Sequence, residues 1–537
     1  MREQAPLPPS DAPSSPAAAA EVDGHPRRWA ILAVLVFSLL AVVLDNTILN
    51  VALKTIADPV EGLGTTQSEL EWAINSYTLV FAGLLFTFGL LGDRHGRKRM
   101  LLIGLVVFGL SSLASAYAQD PMQLIVARAI MGIGGAAIMP ATLAIISNVF
   151  PPRERGKAIG IWAGGVGLAM AIGPITGGVL LEYFWWGSVF LVNVPVVVIG
   201  VLLIAFLVPE SKESASLKLD PVGVLLSIIG LVALVYGIIR GGELASFTHL
   251  EVWLPTLVGV VVLVLFVLHE RRSDHPAFDV RYFRVPAFAT AVSTTALVFF
   301  AMMGVMFFLA FYWQMARGFS ALEAGALVLP FAVAQVVLGP LSARMVERFG
   351  GKIVATVSLF VVSLTLAAHA LIQLDTPVWM VLVLSFVQGA AMANIMPPAT
   401  TTIMQSIPRE KAGVGSAMSN TVRQIGGALG VAVLGSVLSA VYRDQIAPSL
   451  TAVPEHLRHA AGESITATHG VAEGLGAQGA ALVEAADAAF IQGMHVAALI
   501  AGGVALVGTL VVAKWMPGKA AAAPRSGAAL DKKPAKV

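Results

Sequence analysis

The chain has 537 residues, of which 57% are hydrophobic and only 12% are charged, about half the charged fraction of an average soluble domain. The 34 basic and 32 acidic residues nearly cancel, so net charge gives no indication of a nucleic-acid partner or an acidic substrate. Cysteine is absent, which excludes disulfides, thiolate metal sites and cysteine nucleophiles. A soluble core cannot use so much apolar surface, and the composition therefore predicts an all-α membrane protein.

Apolar runs long enough to cross a bilayer recur along the chain. A membrane helix needs about 20 largely apolar residues, and runs near this length between charged breaks lie at 29–53, 72–91, 100–118, 122–149, 158–181, 187–208, 221–239, 252–268, 287–312, 323–343, 353–373, 378–404, 412–440 and 490–513. The sequence therefore predicts about fourteen membrane helices. Residues 1–28 and 517–537 lack such runs and are expected to be disordered tails.

Lys and Arg residues are concentrated on one side of the predicted helices. Basic loops are retained in the cytoplasm, so we place the N-terminus inside. With this orientation, seven basic residues do not lie on the inner side. Five lie outside: Lys54, Arg240, Arg317, Arg443 and Arg458. Two lie within helices, Arg128 and Arg423. All other Lys and Arg residues lie inside. The pattern predicts a multi-pass protein of the plasma membrane, surrounded by lipid, with both termini cytoplasmic.

Two short motifs recur at nearly the same separation. Ile138-Met139-Pro140 in the fourth predicted helix returns as Ile395-Met396-Pro397 in the twelfth, and the loops that follow share a Pro-Arg-Glu motif beginning at Pro152 and Pro408. Eight helices lie between equivalent positions, and because eight is even, both copies have the same membrane orientation. The repeat predicts two six-helix bundles with two helices inserted between them.

This repeat divides the chain into segments. They are a tail at 1–28, a first bundle at 29–208, two accessory helices with linkers at 209–286, a second bundle at 287–516, and a tail at 517–537. The second bundle includes a long outside segment at about 441–489, which is predicted as either a small helical hairpin or a linker.

The inside loop after the second helix combines glycines with an acid and several basic residues. Glycines permit tight turns, and the opposite charges offer ion pairs that could latch a cytoplasmic closure. The alternative is a simple basic anchor on the inner side. The residues of this candidate gating loop are Gly89, Gly92, Asp93, Arg94, Gly96, Arg97 and Lys98.

The loop resembles the G-x-L-G-D-R-x-G-R-K signature of the major facilitator superfamily. Residues 44–53 are similar to the first-helix signature of its fourteen-span drug:proton antiporters of the EmrB/QacA type, and 128–135 resemble the fourth-helix arginine motif. Residues 165–178 resemble the fifth-helix antiporter motif, and 415–430 resemble the thirteenth helix. The chain departs from the family at Lys54, where proline is common. The resemblance implies a major facilitator fold and export of small molecules.

The fifth-helix motif has its own physical meaning. Small residues let helices approach along their backbones, while a proline removes one backbone hydrogen bond, so the segment suits a pivot or seal. The resemblance ties it to export, and a mere packing seam is the alternative. Its residues are Gly165, Ala169, Gly173, Pro174, Gly177 and Gly178.

Asp45 is placed as the one carboxylate well inside a predicted helix. An ionised acid in lipid is costly, so we expect Asp45 to face a cavity and to be functional. At about 1.5 Å per residue, Asp45 and Arg128 both lie roughly 10 Å from the outer surface and could meet. An acid that alternates between a paired and an unpaired environment can bind and release a proton. The alternative is a permanent structural ion pair or a cap on the outer end of the helix.

Further residues are candidates for a substrate cavity. Aromatic side chains suit an adaptable apolar pocket, although they suit lipid and the membrane interface equally. Arg423 could line a cytoplasmic vestibule or extend toward the inner interface, and His369 could titrate or be a hydrogen-bonded structural residue. The cavity candidates are Tyr77, Trp162, Phe307, Phe311, Asn420 and Arg423.

Together the residues and the resemblance predict a proton-coupled efflux antiporter for lipophilic, cationic drugs or natural products. No nucleotide-binding or zinc-protease motif is present, so a proton gradient is the expected energy source, with no cofactor, no metal and no enzymatic activity. We expect a monomer whose partners are the substrate, the proton and the bilayer, without nucleic acid. The alternatives are a proton-coupled uptake symporter and a transport-inactive membrane scaffold or sensor.

Overall fold

The computed structural model describes residues 24–212, 220–244, 248–273, 280–406, 412–475 and 477–516. Residues 1–23 and the predicted tail 517–537 lie outside the described residues, as does the second loop motif at 408–411. Helices dominate the described part of the chain. The first eight are α1 (Arg28–Ala57), α2 (Gln67–His95), α3 (Arg97–Ala116), α4 (Pro121–Val149), α5 (Pro152–Tyr183), α6 (Ser188–Leu191 and Asn193–Leu207), α7 (Pro221–Glu243) and α8 (Leu250–Arg272).

Six further long helices follow, several of them broken. They are α9 (Pro286–Phe311, extended by a π turn at Tyr312–Ala316), α10 (Ala321–Leu327 and Leu329–Phe349), α11 (Gly351–Ala368, then a 3-10 turn at His369–Leu371), α12 (Val378–Ala393 and Met396–Gln405), α13 (Ala412–Ile446) and α14 (Ala477–Trp515). Between α13 and α14, the segment predicted as either a helical hairpin or a linker contains two short helices, Glu455–Glu463 and Ile465–Gly474.

The predicted helical membrane fold is confirmed. Among the described residues, 12 helices are long and apolar enough to cross a membrane, and counting the bent α2 as one span gives 13. The 32-residue α5 has the length of a further span. About fourteen membrane helices, as predicted, agree with this count.

Local sequence signals mark where two of the helices begin and where the chain turns between two pairs of helices. Thr66 and Ser320 each cap their helix with a reciprocal box, to Glu69 and Glu323 respectively, at the equivalent positions before α2 and α10. Gly96, between α2 and α3, and Gly350, between α10 and α11, have φ of 117° and 84°. These left-handed turns favour glycine because it lacks a Cβ. The same caps and turns thus recur eight helices apart.

The packing repeats in the same way. In the first half, α2 packs on α4, α3 on α4 and α6, and α1 on α5 and α6; in the second half, α10 packs on α12, α11 on α12 and α14, and α9 on α13 and α14. Each of these pairs has its counterpart eight helices later. The architecture is therefore two six-helix bundles with the α7–α8 pair inserted between them.

We call the face where α1 begins and α14 ends the terminal face, and the opposite one the far face. The two bundles meet along a seam formed by α2 with α13 and by α5 with α10. The accessory helix α7 lies over this seam and packs on both α2 and α13, where the Ser436 hydroxyl donates to the Ile238 carbonyl at 3.0 Å. α8 packs mainly on α7, and most of its surface is left to lipid.

Candidate functional site

A buried ion pair lies inside the first bundle. Arg128 Nη1 of α4 donates a short hydrogen bond to Asp45 Oδ2 of α1, and both side chains are only 1% exposed. Arg128 Nε also donates to the Ala73 carbonyl of α2 at 3.0 Å. Burying two charges is costly unless each is well hydrogen-bonded, and the pair satisfies this condition within one bundle.

A side-chain amide and a hydroxyl extend the hydrogen bonds around this ion pair. Asn193 Nδ2, at the break in α6, lies 3.2 Å from Asp45 Oδ1 and 3.1 Å from Ser112 Oγ of α3. The Ser112 hydroxyl in turn donates to the Phe190 carbonyl at 2.8 Å. Residues of α1, α2, α3, α4 and α6 therefore take part in one hydrogen-bonded network around the Asp45 carboxylate.

Aromatic rings enclose the guanidinium of Arg128. Its Cζ lies 4.5 Å from the centre of the Tyr77 ring and 5.9 Å from that of Phe190. Such contacts stabilise a desolvated cation. Tyr77, which was predicted to line a substrate cavity, belongs instead to this network, where its hydroxyl accepts a hydrogen bond from Asn46 at 3.4 Å.

The expectation that Asp45 faces a cavity is wrong. Its carboxylate is enclosed by side chains of its own bundle and does not reach the seam between the bundles. Two other carboxylates, Glu71 of α2 and Glu270 of α8, are also buried, at 1% and 0% exposed. Both lie near helix ends, beyond the apolar runs that defined the predicted helices.

Asn193 was not among the site residues predicted from the sequence. We expect Asn193→Ala to lower the free energy of unfolding by about 1–3 kcal/mol, because it removes a hydrogen bond to a buried carboxylate. The transport predicted from the sequence should fall in parallel. Asn50→Ala is the matched control, since the Asn50 amide, among the described residues, donates only to the Asn46 carbonyl of its own helix. Thermal denaturation in detergent and transport in vesicles measure both effects, and equal losses in the two variants would contradict the role of Asn193.

Lys54, which departs from the family pattern, connects the two bundles. Its Nζ donates to the Gln314 carbonyl at 3.0 Å, and the Gln314 amide donates to the Val51 carbonyl at 3.0 Å. Helix α1 continues past this residue to Ala57. Lysine at a position where the family commonly has proline therefore adds a contact between α1 and the π turn after α9 at the far face.

The predicted gating loop is tied to the end of α6 in its own bundle. Arg97 pairs with Asp93 at 2.7 Å, and the Lys98 backbone amide donates to Glu210 Oε1 at 3.1 Å. A Cβ on Gly96 would lie 2.7 Å from the Glu210 carboxyl carbon, so a larger residue at this position would displace the Glu210 side chain. Glu210 was missed because it lies in a predicted linker.

The other three loop residues have fewer contacts. Gly92 is buried, Gly89 lies near Pro140 of α4, and the Arg94 side chain is exposed. The described contacts of the loop thus hold α2, α3 and α6 together within one bundle.

The α5 motif contacts two partners through its small residues. A Cβ on Gly165 would lie 2.5 Å from Val36, and Gly173 and Gly177 face Thr47 and Ile48 of the same helix α1. Ala169, between them, is buried. These residues bring α5 and α1 into close contact, and α5 continues as a helix through Pro174.

The end of the motif crosses the seam. A Cβ on Gly178 would lie 2.5 Å from Leu322 Cα, and Gly325 of α10 lies directly against the Pro174 carbonyl. The two backbones touch without intervening side chains, as small residues allow. This contact closes the seam between α5 and α10 at the far face.

The remaining cavity candidates do not share one pocket. Trp162 donates to Thr142 Oγ1 at 3.3 Å within the first bundle. Phe307 and Phe311 stack edge to face with ring centres 5.5 Å apart and are at most 1% exposed. Asn420 and Arg423 of α13 are half-buried, and the Arg423 guanidinium lies 5.1 Å from the centre of the Phe299 ring.

His369 is fully buried, with Nδ1 2.8 Å from the Thr365 carbonyl of its own helix. The described residues contain no group of three or more His, Cys, Asp and Glu side chains that could hold a metal ion.

Comparisons with known proteins identify the family. The model of the Major Facilitator Superfamily matches residues 35–431. The multidrug efflux pump LfrA of Mycolicibacterium smegmatis is 34% identical over 495 residues, covering 90% of this chain and 96% of the relative. The methyl viologen resistance protein SmvA of Salmonella typhimurium is 33% identical over 498 residues, covering 91% and 98%.

A further resistance and export protein and a solved structure agree with this result. The tetracenomycin C resistance and export protein of Streptomyces glaucescens is 30% identical over 505 residues, covering 90% of this chain and 91% of the relative. The crystal structure of a bacterial homologue of the human lysosomal transporter Spinster, inward-facing and unoccupied, has a TM-score of 0.63 and 20% identity, covering 91% of this chain and 98% of that one. The chain therefore belongs to the Major Facilitator Superfamily, and within it to the drug:proton antiporter family.

Proposed function

We propose that the chain is a proton-coupled antiporter that exports lipophilic, cationic drugs or natural products across the plasma membrane. The observation that carries the proposal is the buried Asp45–Arg128 pair, in a chain about one-third identical over its length to multidrug and methyl viologen resistance proteins. A carboxylate at membrane depth is the group most suited to exchange a proton for a cation. The carrier works as a monomer on a small lipophilic substrate and uses the proton gradient, without a cofactor.

The orientation follows from the distribution of basic residues. With the terminal face in the cytoplasm, the loops rich in Lys and Arg are retained there. The far face then lies outside, with the seam closed there by Gly178 and Leu322 and by Lys54 and Gln314. Substrate would enter from the cytoplasmic side of this conformation.

The ion pair gives the coupling a physical basis. A proton on Asp45 removes its negative charge and weakens its attraction for Arg128, so α1 and α4 are held together less strongly. Because α1 packs on α5 and α5 meets α10 at the seam, a shift of α1 reaches the interface between the bundles. Protonation from the outside would then favour one opening and deprotonation the other, as alternating access requires.

Inverted membrane vesicles with an acidified lumen test this function. Ethidium added to the cytoplasmic face should accumulate in the lumen, and its entry should release protons and make the lumen more alkaline. A proton symporter for uptake would accumulate no ethidium under this gradient. A transport-inactive scaffold would show neither accumulation nor a change in luminal pH, and either result would refute the proposed antiport.

A further inference from the structure

A buried amide lies on the seam between the bundles. Asn75 of α2 is fully buried. It lies four residues after Glu71 and four before Leu79, and residues four apart share one side of a helix. This side of α2 packs on α13: Glu71 lies directly against Gly435, Leu79 shares an apolar cluster with Ala428 and Ala432, and the Ala82 carbonyl accepts a hydrogen bond from the Thr421 hydroxyl at 3.4 Å. Because α13 belongs to the second bundle, closure of the seam covers Asn75.

The hydrogen-bonding capacity of this amide is unused in the closed conformation. Neither Nδ2 nor Oδ1 of Asn75 has a hydrogen-bond partner in the described part of the chain. Most buried polar side chains in proteins have at least one partner. Three further buried atoms in this stretch also lack one among the described residues: Thr65 Oγ1, Gln67 Nε2 and Ser76 Oγ. Residues 65–76 thus carry hydrogen-bonding groups that this conformation leaves unmatched.

Other polar side chains at the seam are satisfied in place. The Thr78 hydroxyl donates to the Ile74 carbonyl of its own helix at 3.0 Å, and the Ser436 hydroxyl donates to the Ile238 carbonyl at 3.0 Å. Closing the seam therefore costs these groups little. Asn75 gives up its hydration on closure and gains no partner, a cost equivalent to about a five- to 150-fold change in the ratio of open to closed molecules.

Several contacts favour the closed far face. Gly178 meets Leu322 backbone to backbone, and Lys54 donates to the Gln314 carbonyl of the other bundle. A carrier must keep both openings within reach, because a conformation that is favoured too strongly holds nearly the whole population. An amide that is satisfied only in the open conformation offsets part of the free energy that these contacts supply.

We propose that Asn75 favours opening of the far face, because water or the departing substrate can hydrogen-bond it only after the seam has separated. Residues 65–76 then form a polar wall of the release path. The inference rests on the proposed export cycle, in which the far face opens to release substrate. It adds a residue that sets the balance between the two conformations.

The absence of cysteine makes the measurement direct. Val60 and Leu371, on opposite bundles at the far face, are 89% and 79% exposed. Val60→Cys with Leu371→Cys provides two spin-labelling sites, and double electron–electron resonance in lipid nanodiscs gives the fractions of molecules with an open and a closed far face. Each variant is measured alone and together with Gly178→Ala, whose added methyl would lie 2.5 Å from Leu322 Cα and favour opening.

Two substitutions of Asn75 should change the equilibrium in opposite directions. Asn75→Ala removes both unmatched atoms, so the ratio of open to closed molecules should fall about five- to 150-fold. Asn75→Asp keeps the shape of the side chain but makes its burial more costly, so the same ratio should rise. A residue with only a packing role would be disturbed in the same direction by both changes.

Thr78→Ala is the matched control on the same helix. It also shortens a buried side chain, but the hydroxyl that it removes is already bonded to the Ile74 carbonyl. The ratio of open to closed molecules should therefore not fall in this variant. A fall as large as that in Asn75→Ala would contradict the role of the Asn75 amide.

The outcomes separate this inference from the proposed function. A ratio that stays unchanged in Asn75→Ala, or that changes in the same direction in Asn75→Ala and Asn75→Asp, refutes the role of Asn75. The absence of an open population from both the unaltered chain and Gly178→Ala refutes it as well. Failure of the unaltered chain to accumulate ethidium in inverted vesicles refutes the proposed antiport instead, and this result is read from transport rather than from the label distances.

Discussion

Asp45→Asn is expected to abolish proton-driven efflux while ethidium still binds. Asparagine keeps the shape of the side chain but cannot take up or release a proton, so movement of the bundles is no longer linked to the gradient. The initial rate of accumulation in acid-loaded inverted vesicles should fall at least about tenfold. Full proton-driven efflux in this variant would refute the coupling role of Asp45.

A double substitution separates coupling from stability. Removing one partner of a buried ion pair leaves the other charge uncompensated and costs about 3–5 kcal/mol, whereas replacing both is often neutral. Arg128→Gln alone should therefore lower the melting temperature sharply, and Asp45→Asn with Arg128→Gln should recover much of it. Transport should remain absent in the double variant. A double variant as unstable as the sum of the two single ones would show that the two residues are not coupled.

Gly178→Ala is expected to reduce efflux about as strongly as Asp45→Asn does. It acts on the seam between α5 and α10 rather than on the ion pair. The added methyl would lie 2.5 Å from Leu322 Cα and 2.9 Å from the Ala321 carbonyl oxygen, so backbone must move. Overpacking of this kind costs about 1–3 kcal/mol. Because the cost applies only when the far face is closed, the closed conformation should lose roughly five- to 150-fold in relative population.

Gly503→Ala provides the control for this prediction. Gly503 is exposed in α14, and no atom lies within 4 Å of the position of an added Cβ. Its efflux should be unchanged. Spin labels on Val60→Cys and Leu371→Cys, which replace exposed residues on opposite bundles at the far face, report its width. The distance between these labels should increase in Gly178→Ala and stay the same in Gly503→Ala. Equal distances in the two variants would contradict a closed contact between α5 and α10.

Much of the fold could be predicted from local sequence. Apolar runs gave the membrane helices because lipid leaves an unpaired backbone no alternative to internal hydrogen bonding. Gly96 marked the turn between α2 and α3, and the repeated Ile-Met-Pro motif at 138–140 predicted the two parallel bundles. The depths of Asp45 and Arg128, counted along their helices, brought the two within reach of each other before any contact was known.

Other features could not be predicted because they depend on which helices meet. Asn193 is a single amide in an apolar run, and its sequence does not show that it faces Asp45 rather than lipid. Glu71 lies one turn after the start of α2, and the sequence does not show which neighbour it faces. It lies directly against Gly435 of the other bundle, a contact that depends on how the two bundles meet. Phe307 itself fitted a cavity or lipid equally well.

The sequence by itself determined that this chain is a helical membrane protein built from two repeats, and that an acid and an arginine lie at one depth within it. Composition and periodicity suffice for this, because the bilayer constrains each helix independently of its neighbours. Only the tertiary structure decided that Asp45 is enclosed by one bundle while Glu71 lies between the two. Helix rotation and the choice of partner arise from contacts between residues far apart in the chain, and these contacts place Asp45 among side chains of its own bundle and Glu71 against Gly435 of the other.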